Sequence, residues 1–537
     1  MKRILCILGC LMTYAQAQTL QDAHRFNQMN PTGTARSLGM AGAYTAVGAD
    51  FTSATLNPAG LGLYRGSDIN ISPYLNISSS NTDYLDVSGS DSRALPGIGS
   101  FGLVFTNTEP AGQLKSWSFA VGYNQLGNYL RRATVTGFNV FSSFSHDLAE
   151  QANGIPEADL FKDPGYVYGA TELADMAYNT GFDATVNGNQ QQFVYLIGPA
   201  PDYDESTGNY VYQGAFDIAQ IEQTVEYRER GRHNEWAFAW GGNYDDKFYF
   251  GAKLGINDLS WRQTRTYTER DVNRVNELDP DDLAILPIDQ LQYEQEVRTS
   301  GVGVNASVGF TYQPIRQLRM GLALHSPSLL SMRDRFSTSL SLRDDFGNQD
   351  TKASAENEFN YRMVLPYRLN FGTMYLIDKI GLLSADVEFT DYRVTNLRST
   401  EDLDPNPGAT RAVFSGLNRS IDNFFDYGLN FRIGAEFRVA EQFYIRGGYA
   451  YYASVYNEKG RRYLDTQGDL QHMMDSRQFI TGGLGYRAES GVYLNVAGMY
   501  RIQDDLATTY VSDNFANNAY IQENLLTIMT TVGIYFR

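Results

Sequence analysis

Apolar and polar residues alternate one by one over many segments of this chain. Between Asp426 and Val439 every odd position is apolar, and the even positions are polar or charged apart from two glycines. A period of two describes a β-strand with one apolar and one polar face. The pattern recurs along the chain, with tight turns and long polar connections in alternation. This combination is typical of a membrane-spanning β-barrel.

Alternation and turn signals together predict an antiparallel barrel of about fourteen strands. The predicted strands cover residues 69–80, 97–107, 115–127, 233–244, 247–266, 292–313, 317–326, 355–376, 380–396, 424–438, 441–455, 475–488, 491–503 and 524–536. In the segment from Leu383 to Thr390 the apolar odd positions are expected to face lipid, and Asp386 and Glu388 the interior. A slip of one residue would bring this acidic row into lipid, so the register is strongly specified.

The lengths of the connections support the barrel independently. Tight connections are predicted at 243–247, 313–316, 377–379, 439–441 and 488–491, and long ones at 128–232, 267–291, 327–354, 397–423, 456–474 and 504–523. Such alternation predicts an up-and-down barrel with both chain ends on the short-turn side, which is the periplasm in an outer membrane. The alternative, a soluble β-sandwich, has no reason to alternate its loop lengths strictly.

The composition excludes a helical membrane protein. The chain has 537 residues with 43% hydrophobic residues and a mean hydropathy of −0.35. No segment approaches the roughly 20 consecutive apolar residues of a spanning helix, so a membrane position requires closed strands. The 37 Tyr and 30 Phe fit aromatic belts at both membrane interfaces, although a soluble all-β protein would also be rich in them.

The first seventeen residues are predicted to be a cleaved signal peptide. Lys2 and Arg3 precede an apolar run, and Ala15-Gln16-Ala17 matches a small-residue cleavage site. A lipoprotein site at Cys10 is the alternative, which the short apolar run before it disfavours. The chain is therefore expected to be exported to the outer membrane of a Gram-negative bacterium. Both cysteines lie in this segment, which excludes disulfides from the mature chain.

Charge and motifs exclude several classes of function. The net charge is −18 and no basic patch stands out, so nucleic acid is not an expected partner. The acidic connections are solvated surface or, alternatively, bind divalent cations that bridge to anionic lipid. The five histidines are scattered without metal-ligand spacing, and neither a Gly-x-Ser-x-Gly nucleophile elbow nor a Gly-x-x-x-x-Gly-Lys-Ser/Thr loop occurs. The segment 97–102 formally matches a dinucleotide-binding fingerprint, but it lies inside a predicted strand and opens no helix. We therefore expect no catalytic residues, no cofactor and no metal.

Residues 18–68 do not follow the barrel pattern. The segment 35–50 consists mostly of small residues, and Pro58 lies in a second such segment at 56–61. Segments of this kind pack closely against other structure. The expected organisation is a signal peptide at 1–17, a hatch at 18–68 that fills the lumen, and a barrel at 69–537 whose largest loop is 128–232.

The expected hatch contains Arg36-Ser37-Leu38-Gly39-Met40-Ala41-Gly42-Ala43 and Asn57-Pro58-Ala59, and the segments 365–372, 383–392, 432–438 and 445–451 follow in later strands. In order and spacing these segments resemble the signatures of the FadL/TodX-type outer-membrane transport family, in which glycine is usual at the position of Ala41. The resemblance implies a fourteen-stranded barrel with an N-terminal hatch. It also implies that hydrophobic molecules, such as long-chain fatty acids or aromatic hydrocarbons, pass through it.

The resemblance assigns expected roles to particular residues. Asn57, Pro58 and Ala59 are expected to anchor the hatch, with a simple turn as the alternative. The glycine-rich hatch segment contributes Arg36, Leu38, Gly39 and Gly42. The family has an inward kink in its third strand, for which Gly122 or Gly127 is the candidate here, since glycine in a strand often marks a bend. Apart from the resemblance, Arg131 and Arg132 follow a predicted strand end and are candidates to bind a carboxylate or phosphate head group, although two arginines at an outer rim more often contact lipid phosphates.

The function expected from the sequence is passive uptake of hydrophobic compounds across the outer membrane. In this scheme the loops capture the compound, and a gap in the barrel wall releases it into the bilayer. The expected partners are a hydrophobic small molecule or fatty acid and the surrounding outer-membrane lipid and lipopolysaccharide, and the protein is expected to be a monomer. The alternatives are a non-transporting scaffold that binds cargo for a protein-secretion system, and a general porin, which a packed hatch disfavours.

Overall fold

The structure is a computed structural model. It describes residues 20–109, 111–139, 143–169, 172–186, 190–198, 212–214, 221–272, 288–344, 347–400, 407–461, 476–512 and 515–536. The predicted signal peptide and both cysteines lie outside these residues. No helix in the described part of the chain is long and apolar enough to span a membrane.

The described part of the chain consists mostly of strands, with short helices before the first strand and between later ones. The helices are α1 (Leu20–Asn27), α2 (Ala35–Leu38), α3 (Ser53–Leu56), a 3-10 helix (Pro58–Leu63), α4 (Phe144–Ala152), α5 (Glu157–Leu160), α6 (Leu173–Asn179), a second 3-10 helix (Tyr392–Val394) and α7 (Pro407–Phe424). The strands are β1 (Ser67–Tyr84), β2 (Val87–Thr108), β3 (Leu114–Asn128), β4 (Arg131–Asn139), β5 (Gly181–Val186), β6 (Gln190–Tyr195), β7 (Ile197–Gly198), β8 (Gln213–Gly214), β9 (Ile221–Tyr244), β10 (Phe248–Asp271), β11 (Ile288–Ile315), β12 (Leu318–His325), β13 (Ser328–Asp344), β14 (Gln349–Ala353), β15 (Asn357–Leu365), β16 (Arg368–Ile377), β17 (Gly381–Asp391), β18 (Asn396–Ser399), β19 (Tyr427–Arg438), β20 (Phe443–Tyr452), β21 (Arg477–Arg487), β22 (Val492–Ser512) and β23 (Phe515–Phe536).

The main sheet closes into an antiparallel barrel. Its last strand, β23, pairs with β1, and Ser67 lies opposite Phe536 at the short-turn end. Several wall strands are interrupted: β3 and β4 both pair with β9, while β12 and β13 both pair with β11. With such segments joined, the wall has fourteen strands. The predicted fold class, a barrel of about fourteen strands with an N-terminal hatch, is confirmed.

Side chains alternate between the two faces of the wall as the sequence predicts. Leu383 on β17 is 46% exposed, whereas Asp386 and Glu388 are 2% and 3% exposed. On β10, Leu254 lies on the outside and Lys253 is buried inside. The wall therefore has an apolar outer surface and a polar inner surface, which suits a bilayer outside and a polar plug inside.

Several strands extend further on the outer side than the sequence predicts. The segment 81–96, left outside the predicted strands, belongs to β1 and β2, which are joined by a two-residue turn at Leu85 and Asp86, both with positive φ. The predicted loops 327–354 and 504–523 likewise contain strand residues. Residues 88–93 are polar or glycine on both faces. On β13 the pattern is inverted, because Leu340 and Leu342 face the buried interior and the outward positions are polar. The lipid-facing alternation that marks a strand is therefore lost in both places.

The connection predicted at 128–232 is shorter in the structure, because β4 continues to residue 139 and β9 begins at residue 221. Between them lies a cap, defined here as residues 143–198 and 212–214 in so far as they are described. Helix α4 begins after Ser143, whose side chain accepts a hydrogen bond from the Ser145 N–H. The cap buries an apolar cluster against the outer end of the barrel, and its members include Phe144, Leu148, Met176, Tyr227, Ile288 and Leu340.

Residues 20–66 lie inside the barrel and form the hatch. Helices α2 and α3 and the first 3-10 helix contact the inner faces of strands on several sides of the lumen. Phe51 and Leu61 of the hatch are fully buried with Val104 and Ala239 of the wall. The interior of the barrel is therefore filled by the N-terminal part of the chain itself.

Candidate functional site

An ion-pair network fixes the glycine-rich hatch segment to the wall. Arg36 donates two hydrogen bonds to Glu436, from Nε at 2.8 Å and from an Nη atom at 2.7 Å. Arg446 donates to the same carboxylate at 2.6 Å. The Glu436 side chain is only 8% exposed. One buried carboxylate is thus shared by one hatch arginine and one wall arginine, a bidentate geometry among the strongest that side chains form.

A second wall carboxylate binds the hatch backbone. Asp386 accepts hydrogen bonds from the backbone N–H groups of Tyr44 and Thr45, both at 2.9 Å, and from the Thr45 hydroxyl at 2.7 Å. Arg432 lies 3.8 Å from the same carboxylate. The inward acidic row that the sequence predicts on β17 therefore binds the hatch.

Asn57 joins the hatch to itself and to the wall. Its amide nitrogen donates to the Thr45 carbonyl at 2.7 Å and to the Thr311 hydroxyl of β11 at 3.2 Å. Its side-chain oxygen accepts from the Ala59 N–H at 3.2 Å, and Pro58 starts the 3-10 helix. The geometry contains both an anchor to the wall and a local turn, the two alternatives that the sequence left open. The functional role of the Asn57-Pro58-Ala59 motif stays a prediction.

A belt of inward-facing glycines lets the hatch backbone touch the wall. Neighbouring strands contribute glycines in direct register, such as Gly251 opposite Gly309 and Gly434 opposite Gly448. A Cβ atom on any member would overlap hatch atoms, because these glycines lie against Pro58, Ala59, Thr45, Met40 or Phe51. The belt consists of Gly102, Gly122, Gly241, Gly251, Gly309, Gly321, Gly372, Gly434 and Gly448. The wall is therefore shaped for this hatch, since glycine permits backbone approach that no other residue allows.

The wall separates between β2 and β3. The β2–β3 ladder ends at Ser100 opposite Asn124, and beyond it β3 pairs with β9 through a register shift between Gln125 and Gly127. Strand β4 then runs behind the β1–β2 hairpin, where Ser80 donates to the Arg132 carbonyl. Of the two candidates for a kink, Gly127 lies at this irregularity. Gly122 lies in the regular ladder opposite Gly102, where it makes room for the Phe51 ring.

The hatch covers the backbone that this separation leaves unpaired. The Asn30 N–H donates to the Leu126 carbonyl at 3.1 Å, and the Thr32 hydroxyl donates to the Gln125 carbonyl. A cavity of about 40 Å³ lies beside these contacts. It is lined by both hatch and wall residues, among them Pro31, Leu38, Tyr74, Leu126 and Met529. A volume of this size holds only a few water molecules.

An apolar layer covers the outward side of the hatch. Helix α1 places Phe26 against Tyr129 and Trp261 in edge-to-face contacts, and Arg25 lies over the Trp261 ring at 3.9 Å. Burial, with Arg477 and Arg25 nearby, lowers the pKa of His24 to about 3, so the imidazole is neutral. The rest of the layer comes from wall strands and α7, with Leu330, Met363, Phe414 and Ile421.

The two arginines at 131 and 132 have different surroundings. Arg131 is 3% exposed and forms ion pairs inside the barrel with Glu523 and, at 3.6 Å, with Glu229. Arg132 is 38% exposed and bonds Asp91 of β2 at 2.8 Å. Arg131 is therefore not at an outer rim as expected, because its strand lies behind the β1–β2 hairpin. A head-group contact remains a prediction only for Arg132.

Sequence reasoning missed most partners of the hatch. Asp386 and Glu436 were expected to face inward, but nothing in local alternation says what an inward carboxylate binds. One signal was present, because inward positions of neighbouring strands repeatedly carry glycine. Among the described residues, no three His, Cys, Asp or Glu side chains are grouped so that they could bind a metal ion.

The plugged fourteen-stranded barrel defines the fold class of FadL/TodX-type outer-membrane channels, which confirms the resemblance seen in the sequence at the level of the fold. A FadL homologue from Pseudomonas aeruginosa superimposes with a TM-score of 0.50 at 11% identity, covering 94% of this chain and 98% of the other. The toluene transporter TodX of P. putida gives 0.50 at 12% identity, covering 94% and 99%. No protein-family model matches the chain, and no curated protein matches it in sequence.

Proposed function

We propose that the protein carries hydrophobic compounds across the outer membrane and releases them sideways into the bilayer where β2 and β3 separate. The single observation that supports this route best is the hatch segment around Asn30 and Thr32, which seals the separation with hydrogen bonds to β3. The two similar structures, one described as a FadL homologue and one as a toluene transporter, are consistent with this function.

A straight aqueous path is a poor explanation for this barrel. The cavities beside the hatch have volumes of about 20 to 40 Å³, and a porin needs a continuous water-filled channel. The apolar layer above the hatch is suited to hold an apolar compound, because its burial there is favourable by about 25 cal/mol per Å². The compound then needs only a displacement of the Asn30–Thr32 segment to reach the membrane.

The test is a reversible cross-link between hatch and wall. The double variant Thr32→Cys/Leu126→Cys introduces two thiols whose parent residues line the same cavity. Cells that produce the oxidised variant are expected to lose uptake of radiolabelled oleate and alkylbenzenes, and a reductant is expected to restore it. The single variants Thr32→Cys and Leu126→Cys are the matched controls and should transport under both conditions.

Two results would contradict the proposal. Uptake by the oxidised double variant at the rate of the single variants would exclude an exit at this separation. Equal uptake with and without the protein, together with a secreted protein trapped in the periplasm of cells that lack it, would favour the cargo-binding scaffold.

A further inference from the structure

The outer face of the wall carries a row of four arginines in direct register. Arg230 lies opposite Arg262, Arg262 opposite Arg298, and Arg298 opposite Arg335, on β9, β10, β11 and β13. We name these four residues the arginine row. The side chains of Arg262, Arg298 and Arg335 are 37%, 47% and 43% exposed, and Arg230 is exposed too.

The arginine row lies beyond the apolar belt on the side of the long connections. A second outward row, also in direct register, lies six residues further along each strand toward the short turns. It consists of Trp236, Ile256, Val304 and Leu329. These four apolar side chains are 39% to 57% exposed. Six strand residues span roughly 20 Å, which the usual tilt of barrel strands reduces to a height of about 15 Å. The arginines are therefore at the level of lipid head groups and their sugars.

The row has more positive charge than its neighbours neutralise. Like charges directly opposite in a sheet are destabilising. Glu296 lies 2.8 Å from Arg262 and also bonds Arg298. Glu356 lies 3.7 Å from Arg298 and 3.8 Å from Arg335, and Glu358 lies 3.1 Å from Arg335. The four arginines of the row thus share three carboxylates.

Two further arginines lie one step closer to the membrane. Arg333 shares Glu358 with the row at 3.3 Å, and Arg232 is exposed. Neither Arg230 nor Arg232 forms an ion pair with a residue in the described part of the chain. Arg228 is paired with Glu226, and Asp258 accepts from Asn234. The six arginines thus retain an excess of positive charge on a chain whose net charge is −18.

On the opposite side of the barrel, the described outward row two residues beyond the apolar positions is uncharged. On β20, β21 and β22 the outward residues Tyr449, Ile480 and Tyr500 are in register, and the next row beyond them consists of Tyr451, Gln478 and Ile502. Those three residues carry no charge.

We propose that the arginine row binds the phosphate groups of a phosphorylated glycolipid in the outer leaflet, with the acyl chains of that lipid on the apolar row of Trp236, Ile256, Val304 and Leu329. Guanidinium groups bind phosphate with two parallel hydrogen bonds and remain charged at any physiological pH. A bound phosphate also relieves the repulsion between the arginines. The apolar row below supplies the contact that distinguishes a lipid from free phosphate.

The experiment uses the full chain purified in detergent and titrated with diphosphorylated lipid A, with the same lipid after removal of its phosphates as the reference. The wild type is expected to bind the phosphorylated form at least about tenfold more tightly, because hydrogen bonds to charged groups contribute about 1.5 to 3 kcal/mol each. The variant Arg262→Gln/Arg298→Gln is expected to lose that preference. The control Arg316→Gln/Arg438→Gln removes two exposed arginines at the short-turn end and should keep it.

Stability without lipid separates binding from a purely structural role. In lipid-free detergent the Arg262→Gln/Arg298→Gln variant is expected to unfold at nearly the denaturant concentration of the wild type, because the relief of like-charge repulsion offsets the loss of two part-exposed ion pairs with Glu296. Three outcomes would overturn the proposal: equal binding of the two lipids by the wild type, an unchanged preference in the variant, or competition by inorganic phosphate that is as effective as competition by lipid A. None of them depends on whether the protein transports anything.

Discussion

The barrel is closed twice, by the hatch inside it and by the cap above it, and the two closures use different physics. The hatch has apolar packing against the wall, and buried polar contacts in fixed positions are added to it, such as Glu436 with Arg36 and Asp386 with the backbone of Thr45. The cap is held mainly by an apolar cluster around Leu148 and Met176. One carboxylate, Glu269, adds a polar contact to the cap by accepting from Ser143 and the Phe144 N–H.

This difference has a functional consequence. Apolar packing has no preferred direction, so an apolar ligand can replace one apolar neighbour by another at little cost. Buried ion pairs and backbone hydrogen bonds require their particular partner, and an apolar ligand cannot replace them. An apolar compound is therefore expected to loosen the cap more readily than the body of the hatch. Within the hatch, the Asn30–Thr32 segment lies outside the ion-pair network around Glu436, and hydrogen bonds to Gln125, Leu126 and Arg477 hold it.

The largest effect is expected from removal of the charge that holds the hatch. Glu436→Gln leaves Arg36 and Arg446 facing each other without their carboxylate, and breaking a buried pair typically costs about 3 to 5 kcal/mol. We expect the hatch to leave its position while the cap stays folded. Ionic conductance through single barrels in planar bilayers is the measurement. The exposed Glu489→Gln substitution is the control, and equal conductance of the two variants would contradict a charge-fixed hatch.

The matching change in the cap is Leu148→Ala. Leu148 is fully buried, and truncation of a buried leucine costs about 2 to 5 kcal/mol. Chymotrypsin is expected to cleave the cap near Tyr166 faster in this variant, with the hatch still protected. Phe161→Ala in the same cap is the control, because Phe161 is 59% exposed. If both variants were cleaved at the wild-type rate, the apolar cluster would not be what holds the cap.

A smaller effect is expected from a methyl group in the glycine belt. In Gly309→Ala the new Cβ overlaps the Oδ1 atom of Asn57, and such overpacking costs about 1 to 3 kcal/mol. The hatch should become more accessible to protease without loss of the barrel. Gly498→Ala is the matched control, since a Cβ there has open space within 4 Å. Identical digestion patterns for the two variants would show that the glycine belt does not determine the position of the hatch.

The smallest effect is expected at Ala41, which has a φ of 54°. A left-handed conformation costs a residue with a Cβ about 1 to 2 kcal/mol, partly offset here by the burial of the methyl group. Ala41→Gly should therefore raise the unfolding midpoint in urea slightly, by the equivalent of about 0.5 kcal/mol. Ala43→Gly, at a buried position without positive φ, should lower it. The opposite ranking of these two variants would contradict the strain at Ala41.

The wall was predictable because its signal is local. Each strand alternates on its own, as at Leu383, Asp386 and Glu388, and the short turns identify one end of the barrel without knowledge of the neighbours. The failures lie where that signal stops. In 81–96 the strands leave the lipid, and residues 88–93 are polar or glycine on both faces. In 327–354 the alternation is inverted, because Leu340 and Leu342 face the buried interior instead of lipid. The inward course of β4 and the burial of Arg131 were missed for a related reason, since they depend on the separation of β2 from β3.

The sequence by itself determined a barrel with an apolar outside, a polar inside and a segment of small residues able to fill it. The bilayer imposes this alternation on every strand separately, so each strand shows it in its own sequence. Only the tertiary structure decided that Asp386 and Glu436 bind the hatch, that nine wall glycines surround it, and that four arginines on four strands form one row. These contacts join residues tens to hundreds of positions apart, and strand register, which no single segment encodes, brings them together.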